Sequence, residues 1–268
     1  MNNASTKKRS KILSLLLSII TPGLGHLYNG KLIWAVVIPV IFLTIYEIFY
    51  YYSLIKSFTL LLIFILFAIG VYVYSIVHSI ILAKRNSNYQ LKSYNRVYIY
   101  LIWPLLFFFI SPLLPGNNSI RPFNIPTNSM ENTLHTGDMI TADLDYYKSK
   151  DVKRNDIIIF SSPEYPHEYM IKRAIAFEGE KISIANGKIF INGNELKEDN
   201  PNIIYQDNNR DDIPETIIPE DHIFVLGDNR PNSLDSRNFG SIPGKNVKGK
   251  PLYIYFSSSF DRIGSYLE

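Results

Sequence analysis

Three runs of almost uninterrupted apolar residues constrain this chain more than anything else in it: Leu32–Tyr50, Ser57–Ala83 and Val97–Leu114. Each reaches or approaches the roughly 20 residues a helix needs to cross hydrocarbon. Glu47 is the only charged residue among them. A buried helix of a soluble protein keeps a polar stripe for water, and these runs have none, so lipid is the solvent they are built for. A fourth apolar run, Ile12–Ile20, is too short to cross and is stopped by Pro22, Gly23 and Gly25. Lys7, Lys8, Arg9 and Lys11 precede it in the manner of a cleavable signal peptide, but no small-x-small site follows. It reads as a re-entrant or interfacial segment that leaves and returns to one side.

Basic residues set the expected orientation. Lys84, Arg85, Lys92 and Arg96 crowd the loop between the second and third spans, which places that loop and the basic N-terminus in the cytoplasm. Lys56 alone marks the short loop between the first two. Three crossings satisfy every basic cluster, whereas four would put one outside. The third span then delivers everything beyond Pro115 to the far side of the membrane. Pro22–Gly30 reads as a helix-breaking turn with glycines for close packing. His26 and His78 stand singly, with no partner at ligand spacing, and are assigned no metal.

After Pro115 the composition changes to Asn, Asp, Lys and Gly. Short β-type runs follow at Asp156–Phe160, Tyr169–Ile175, Lys181–Ile184, Lys188–Ile191, His222–Leu226 and Leu252–Phe256, with Asn-Gly turn signals at Asn186–Gly187 and Asn192–Gly193. Asn200–Pro219 reads as an exposed loop. The expected organisation is a membrane anchor over 1–116 followed by a mainly β, barrel-like or sandwich domain over 117–268. A net charge of +3 with no basic stripe argues against a nucleic-acid partner. With no cysteine, disulfides, thiolate metal sites and a thiol nucleophile are excluded.

Within the β half, Asn124–Gly137 (N-I-P-T-N-S-M-E-N-T-L-H-T-G) reads as strand, tight turn, strand, with Ser129 at the turn. A loop serine usually satisfies local backbone groups, and a hydroxyl becomes a nucleophile only beside a base. His135 lies too near Ser129 in sequence to be excluded as a base, although no Asp-His orienting pair stands out, and His167 and His222 read as surface residues. Lys172, in M-I-K-R, shares one strand face with Met170 and Ala174. An inward lysine must find a counter-ion or lose its charge, and desolvation lowers its pKa toward that of a base. A snorkelling or salt-bridged lysine is the plainer alternative. Gly227–Gly240 (G-D-N-R-P-N-S-L-D-S-R-N-F-G) packs Asp228, Arg230, Asp235 and Arg237 into one polar loop. Its carboxylates are too few for a calcium loop, which also ends on Glu.

P-F-N-I-P-T-N-S-M at Pro122–Met130, G-D-M-I at Gly137–Ile140, R-N-D-I-I-I-F at Arg154–Phe160, M-I-K-R at Met170–Arg173 and the loop through Pro243 occur in this order behind an anchor. Together they resemble the type I signal peptidases (leader peptidases), over about Ile120–Ser257. The resemblance implies a membrane-bound Ser-Lys endopeptidase that removes signal peptides after small-x-small sites. Ser129 would be the nucleophile and Lys172 the general base. The Ser129 N–H and Thr127 hydroxyl would form the oxyanion hole, and Ser233 would orient the lysine amine. Asp228 with Arg173, and Asp235 with Arg237, would be paired charges holding the loops. Phe123, Ile125, Pro126, Met130 and Ile171 would line the substrate groove.

The implied partners are preprotein signal peptides, the lipid bilayer and the secretion translocon, with no cofactor. The implied location is a bacterial cytoplasmic (inner) membrane, multi-pass, with the catalytic domain outside. Asn128 and Asn155 stand where the family often has glycine, and Asn132 where proline is common. The second β-domain of some relatives should shrink to little more than a hairpin. Two other readings remain: a Ser-Lys protease of the self-cleaving repressor type, and a non-enzymatic module that binds preproteins.

Overall fold

The computed structural model describes residues 6–51, 54–86, 89–110, 119–198, 200–205 and 212–267. The chain divides into two units, one of Met1–Ile55 with Thr59–Asn117 and one of Lys56–Phe58 with Asn118–Glu268.

The first unit is helical apart from a two-residue pairing of β1 (Thr6–Lys7) with β2 (Tyr89–Gln90). Its helices are α1 (Lys11–Ile20), α2 (Leu24–Tyr28), α3 (Leu32–Tyr51), α4 (Phe58–Arg85) and α5 (Val97–Ile110). By length and composition α3 and α4 can cross a membrane. The third expected span is described only as the 14 residues of α5, and its last part, 111–114, lies outside the described residues.

The packing of α1 is inside out for a protein in water. Ser14 and Ser18 are buried while Ile12, Leu16 and Ile19 are exposed. In hydrocarbon that arrangement is favourable, because the hydroxyls need partners and the aliphatic side chains do not. Ser14 Oγ donates to Ser79 O at 3.0 Å, and the Ser18 and Ser79 hydroxyls lie 2.7 Å apart. Gly25 permits the contact, since a Cβ there would sit 2.7 Å from Ser14 O and 3.0 Å from Ser79 Oγ. Two expectations are corrected here. Pro22–Gly30 is not only a turn, because five of its residues wind into α2, with Gly23 at φ 90° before it. His26 and His78 are not solitary: Nε2 of the first and Nδ1 of the second lie 3.1 Å apart. They are 52 residues apart in sequence, so linear spacing could not reveal the pair.

The second unit is mainly β. Its strands are β3 (Ile120–Asn124), β4 (Met139–Asp143), β5 (Ile157–Ser161), β6 (Tyr169–Phe177), β7 (Lys181–Ala185), β8 (Lys188–Ile191), β9 (Asn194–Glu195), β10 (Ile213–Ile217), β11 (His222–Leu226), β12 (Ile242–Pro243) and β13 (Val247–Phe256). A short helix, α6 (Ser236–Phe239), precedes β12. Seven strands form one antiparallel sheet in the order β12-β11-β6-β5-β13-β4-β3.

The sheet curls because β13 serves two neighbours in turn. Val247 and Gly249 pair with β5, whereas Lys250 to Phe256 pair with β4, with register shifts along both ladders. Bulges of this kind bend a strand and increase its twist, which turns a flat sheet into part of a barrel. β5 is buried along its whole length, as expected of a strand covered on both faces. β6 sorts its side chains among three apolar clusters. Met170 and Ala174 join Ile158, Phe160 and Val225; Ile171 joins Met130, Ile140 and Ile254; Ile175 and Ala176 join Ile182 and Leu226.

A smaller sheet has the order β10-β7-β8-β9. Its hairpins turn at Asn186–Gly187 and Asn192–Gly193, all four residues at positive φ, the two-residue turn that matches strand twist. Two expectations fail at this sheet. Asn200–Pro219 is not loop throughout, because Ile213–Ile217 pairs with β7; residues 206–211 lie outside those described. The sheet is consequently larger than a hairpin. The alternation in I-P-E-T-I is masked by Pro214 and by exposure of most of the strand.

Gly249 sits where β13 changes partner. A Cβ there would lie 2.7 Å from Leu144 Cα and 2.9 Å from the Asp143 carbonyl carbon, both backbone atoms that cannot swing aside. Gly249→Ala should therefore destabilise the protein by about 1–3 kcal/mol. Thermal unfolding followed by circular dichroism should show Tm lowered by roughly 2–8 °C.

Candidate active site

The segment between β3 and β4 is a plugged loop rather than the tight turn expected. β3 and β4 pair from Ile120↔Asp143 to Asn124↔Met139. Ile125 N then donates to Asp138 O at 2.9 Å and Gly137 N to Ile125 O at 2.8 Å, closing the loop's neck. Ile125, Met130 and Leu134 are buried and pin its middle to the core. Ser129 is thus carried, half-buried, on a loop fixed at both ends and at its centre.

Lys172 comes from β6, opposite Ile158 of β5. It is 3% exposed, and its Nζ lies 2.5 Å from Ser129 Oγ. Burial lowers its pKa from 10.5 to about 8; the Asp235 and Asp228 carboxylates oppose the shift and Arg237 adds to it. At that pKa a substantial fraction of the amine is neutral in mildly alkaline solution and can accept the serine proton. Thr127 Oγ1 lies 3.4 Å from Ser129 Oγ on the exposed side of the loop.

Arg173, one residue on, is buried too and keeps its charge by pairing. Its Nε and Nη2 donate to the two carboxylate oxygens of Asp228 at 2.8 and 2.7 Å, and its Nη1 donates to Asn155 O at 2.6 Å. Thr133 Oγ1 donates to Asp228 Oδ2 at 2.5 Å, which ties the serine loop to the same carboxylate. Asp235 receives two bonds from the Arg237 guanidinium, both 2.9 Å, one from Arg237 N at 3.2 Å and one from Gly227 N at 3.0 Å. It also caps α6, and its own backbone N–H donates to Asn238 Oδ1 at 3.2 Å.

Ser233 is placed differently from expectation. Its Oγ is buried and makes no hydrogen bond among the described residues, so the bond to Lys172 is not formed. The hydroxyl is turned to Gly227, whose missing Cβ leaves the space it fills. Gly227 also lies against the Ser129 carbonyl, 2.5 Å from where a Cβ would stand. Two partners escaped the sequence reading. Asn229 donates from its backbone to Ser129 O at 3.1 Å and from its side chain to Asn128 O at 2.9 Å. Glu198 holds Arg230 through two bonds, at 2.6 and 2.8 Å. Asn229 sat in a block already singled out, whereas nothing marked Glu198 in a polar stretch.

None of the three β-half histidines touches this arrangement. His135 faces Glu131 at 3.8 Å and His222 its own neighbour Glu220, while His167 sits on the exposed β5–β6 loop. The serine and lysine open into a cleft of about 310 Å³. Phe123, Ile125, Pro126, Met130 and Ile171 all line it, as do Tyr169 and Leu234.

Residues 95–256 match the family model described as signal peptidase, peptidase S26. The chain belongs to this family. It is 34% identical over 149 residues to thylakoidal processing peptidase 1, chloroplastic, of Arabidopsis thaliana, covering 52% of this chain and 43% of that protein. It is 31% identical over 151 residues to signal peptidase I of Bacillus amyloliquefaciens, covering 54% of this chain and 80% of that protein. A crystal structure of a signal peptidase I from Enterococcus faecalis V583 matches at 36% identity over 38% of this chain and 97% of that one, with a TM-score of 0.32. The chain thus spans under half the length of the plant relative.

Two departures from the family pattern have backbone causes. Asn155 has φ 73°, a left-handed conformation that glycine reaches freely and asparagine tolerates better than most residues. Asn132 has φ 70°, which proline cannot adopt and asparagine tolerates.

The Arg173–Asp228 pair is almost fully buried, at 4% and 0% side-chain exposure. Removing one member strands the other, at a cost of about 3–5 kcal/mol. Asp228→Ala should lower stability by that amount in denaturant unfolding. Adding Arg173→Met should recover part of the loss, because no charge is then left unpaired.

Proposed function

We propose that this chain is a membrane-bound serine endopeptidase that removes N-terminal signal peptides after small-x-small sites, with Ser129 as nucleophile and Lys172 as general base. The carrying observation is the 2.5 Å approach of a buried, pKa-lowered lysine to a loop serine, at the base of a cleft. Family membership supports the substrate class. The intact Ser-Lys pair weighs against a non-enzymatic binding module, and the apolar helices weigh against a self-cleaving repressor.

The chemistry follows from the geometry. Neutral Lys172 accepts the Ser129 proton as Oγ attacks the scissile carbonyl. The resulting oxyanion is stabilised by the Ser129 N–H and the Thr127 hydroxyl. Lys172 then returns its proton to the departing amine, and in the second half-reaction it deprotonates the water that releases the acyl group. Ser233 contributes by packing beside Gly227 rather than by holding the amine.

Substrate recognition uses the free edge of β6. β5 flanks β6 from Tyr169 to Arg173, while β11 joins its other side only from Arg173 onward. Among the described residues, Tyr169–Lys172 has no strand partner on that side, so an extended peptide can add there as a strand along the cleft. Alternate side chains of that peptide enter apolar depressions beside Phe123, Met130 and Ile171, and a confined space favours small residues. Three crossings by α3, α4 and α5 would anchor the unit in a bacterial cytoplasmic membrane with the cleft outside, near the lipid and the translocon that supply its substrate.

Ser129→Ala and Lys172→Ala should each cut preprotein cleavage by about 10⁴-fold or more, and the double variant should lose little further, because the pair acts as one unit. Lys172→Arg should be inactive, since a guanidinium does not deprotonate. His135→Ala, His167→Ala and His222→Ala should remain active in a mass-mapped cleavage assay. An active Lys172→Arg protein would overturn the Ser-Lys mechanism.

The pH profile tests the same lysine. A base works only when deprotonated, so kcat/KM should rise with pH along a single limb centred at about 8. It should fall tenfold per unit well below that point. A limb centred near 6.5 would point to histidine instead.

Topology is tested by labelling, and the absence of native cysteine makes the experiment clean. A cysteine at Asn118 should react with an impermeant maleimide in intact cells, and one at Asn88 should not. The reverse pattern would put the cleft in the cytoplasm.

A further inference from the structure

Glu198 is a buried carboxylate with no part in the chemistry above. It follows β9 at the exit of the small sheet, its side chain is 4% exposed, and both its oxygens accept from Arg230, at 2.6 and 2.8 Å. Tyr205 OH adds a third bond to Oε2 at 3.2 Å. Bidentate guanidinium–carboxylate bonds fix orientation as well as distance.

Arg230 passes that fixation on. Its Nε donates to Gly227 O at 3.0 Å, and its backbone N–H donates to Ile204 O at 3.1 Å, while Ile204 N donates to Asp228 O at 2.8 Å. A strap from the small sheet thus clamps residues 227–230 by side chain and backbone together. Within the clamp, Asn229 bonds the carbonyls of Asn128 and Ser129, and Gly227 packs against the latter. The loop is in direct contact with the nucleophile's own backbone. A shift of Arg230 acts on Ser129 through Asn229 and Gly227, whereas it reaches Lys172 by way of Asp228 and the neighbouring Arg173 on β6.

We propose that Glu198 is a positioning residue for the nucleophile, acting through Arg230 and Asn229 on the backbone of Asn128 and Ser129. The small sheet is then part of the catalytic frame, since it supplies the anchor that holds the serine at 2.5 Å from the amine. This rests on the serine-peptidase reading, and the test separates the two.

Full-length protein in detergent is compared with Glu198→Ala, Glu198→Gln and Glu198→Asp. Three quantities are read: kcat and KM for a signal-peptide substrate, the rate constant for acylation of Ser129 by a small serine-directed acylating reagent followed by intact mass, and thermal unfolding. Displacements of about 1 Å at a reacting atom cost on the order of 10²-fold, so Glu198→Ala should lower kcat by about 10–100-fold with KM within about twofold. The acylation rate constant should fall by the same factor, the pH limb should stay centred near 8, and Glu198→Asp should recover part of the loss. A merely structural role would lower the fraction of molecules that acylate, not the rate constant of those that do.

If Glu198→Ala does not fold, Glu198→Gln, which keeps the shape and loses the charge, is read in its place with a loss of about 3–10-fold expected. A folded variant whose kcat and acylation rate constant stay within twofold of the parent overturns the proposal. So does a loss confined to amplitude. Parent protein that acylates at Ser129 but cuts no preprotein would instead defeat the proposed function, leaving the positioning of Ser129 measurable by acylation alone.

Discussion

The close approach of Lys172 to Ser129 is the interaction on which the rest of the β unit depends. An ammonium group 3% exposed on a strand is costly to desolvate, and the protein resolves the cost by allowing the charge to be lost. That resolution works only if no carboxylate bonds the amine directly. Asp228 and Asp235 both raise the lysine pKa through space, yet each is occupied by an arginine. The two Asp–Arg pairs therefore hold loops and also keep acidic groups from capturing the base. Were either carboxylate to swing onto Lys172, the amine would stay protonated and the serine would have no acceptor.

Adjacent residues on β6 show how partner geometry decides the fate of a buried charge. Lys172 and Arg173 are equally buried, at 3% each, and point to opposite faces. Arg173 meets the fork of Asp228 and the Asn155 carbonyl and remains charged. Lys172 meets a hydroxyl and apolar walls. Exchanging the two residue types would fail on both faces, because a guanidinium cannot give up its proton and an ammonium cannot span the Asp228 fork.

Much of this was legible in the sequence where the signal was local. Strand alternation around Lys172 gave its face, Asn-Gly pairs gave the hairpins, and the first two apolar runs gave α3 and α4, which are long and apolar enough to cross a membrane. Contacts closed by the tertiary fold were not legible. His26 and His78 looked solitary because helix packing brings them together, and Glu198 looked like one more polar residue before a loop. Ser233 was misplaced for a subtler reason. Its position followed from the resemblance, but the orientation of its hydroxyl depends on how closely Gly227 approaches, a property of backbone packing that no residue type announces. The strand at Ile213–Ile217 was hidden because it is an edge strand with most side chains exposed, so pairing rather than burial defines it.

The two units solve the same problem in opposite solvents. In the β unit, apolar side chains are hidden and the buried charges Arg173, Arg230 and Arg237 each find a carboxylate. In the helical unit the aliphatic side chains of α1 face outward and Ser14, Ser18 and Ser79 turn inward to satisfy one another. Serine suits that seam because its one hydroxyl can bond a neighbouring carbonyl or hydroxyl without bringing a net charge into hydrocarbon. Small polar contacts therefore join α1, α2 and α4, with Gly25 allowing the approach, beside an apolar cluster in which Leu24, Leu27 and Ala35 pack with Leu17, Tyr100 and Trp103. A change such as Ser18→Leu would add apolar surface and still weaken the unit, because it would overfill the close contact and remove one of the two bonds of the Ser79 hydroxyl, leaving the one to Ile76 O at 2.8 Å.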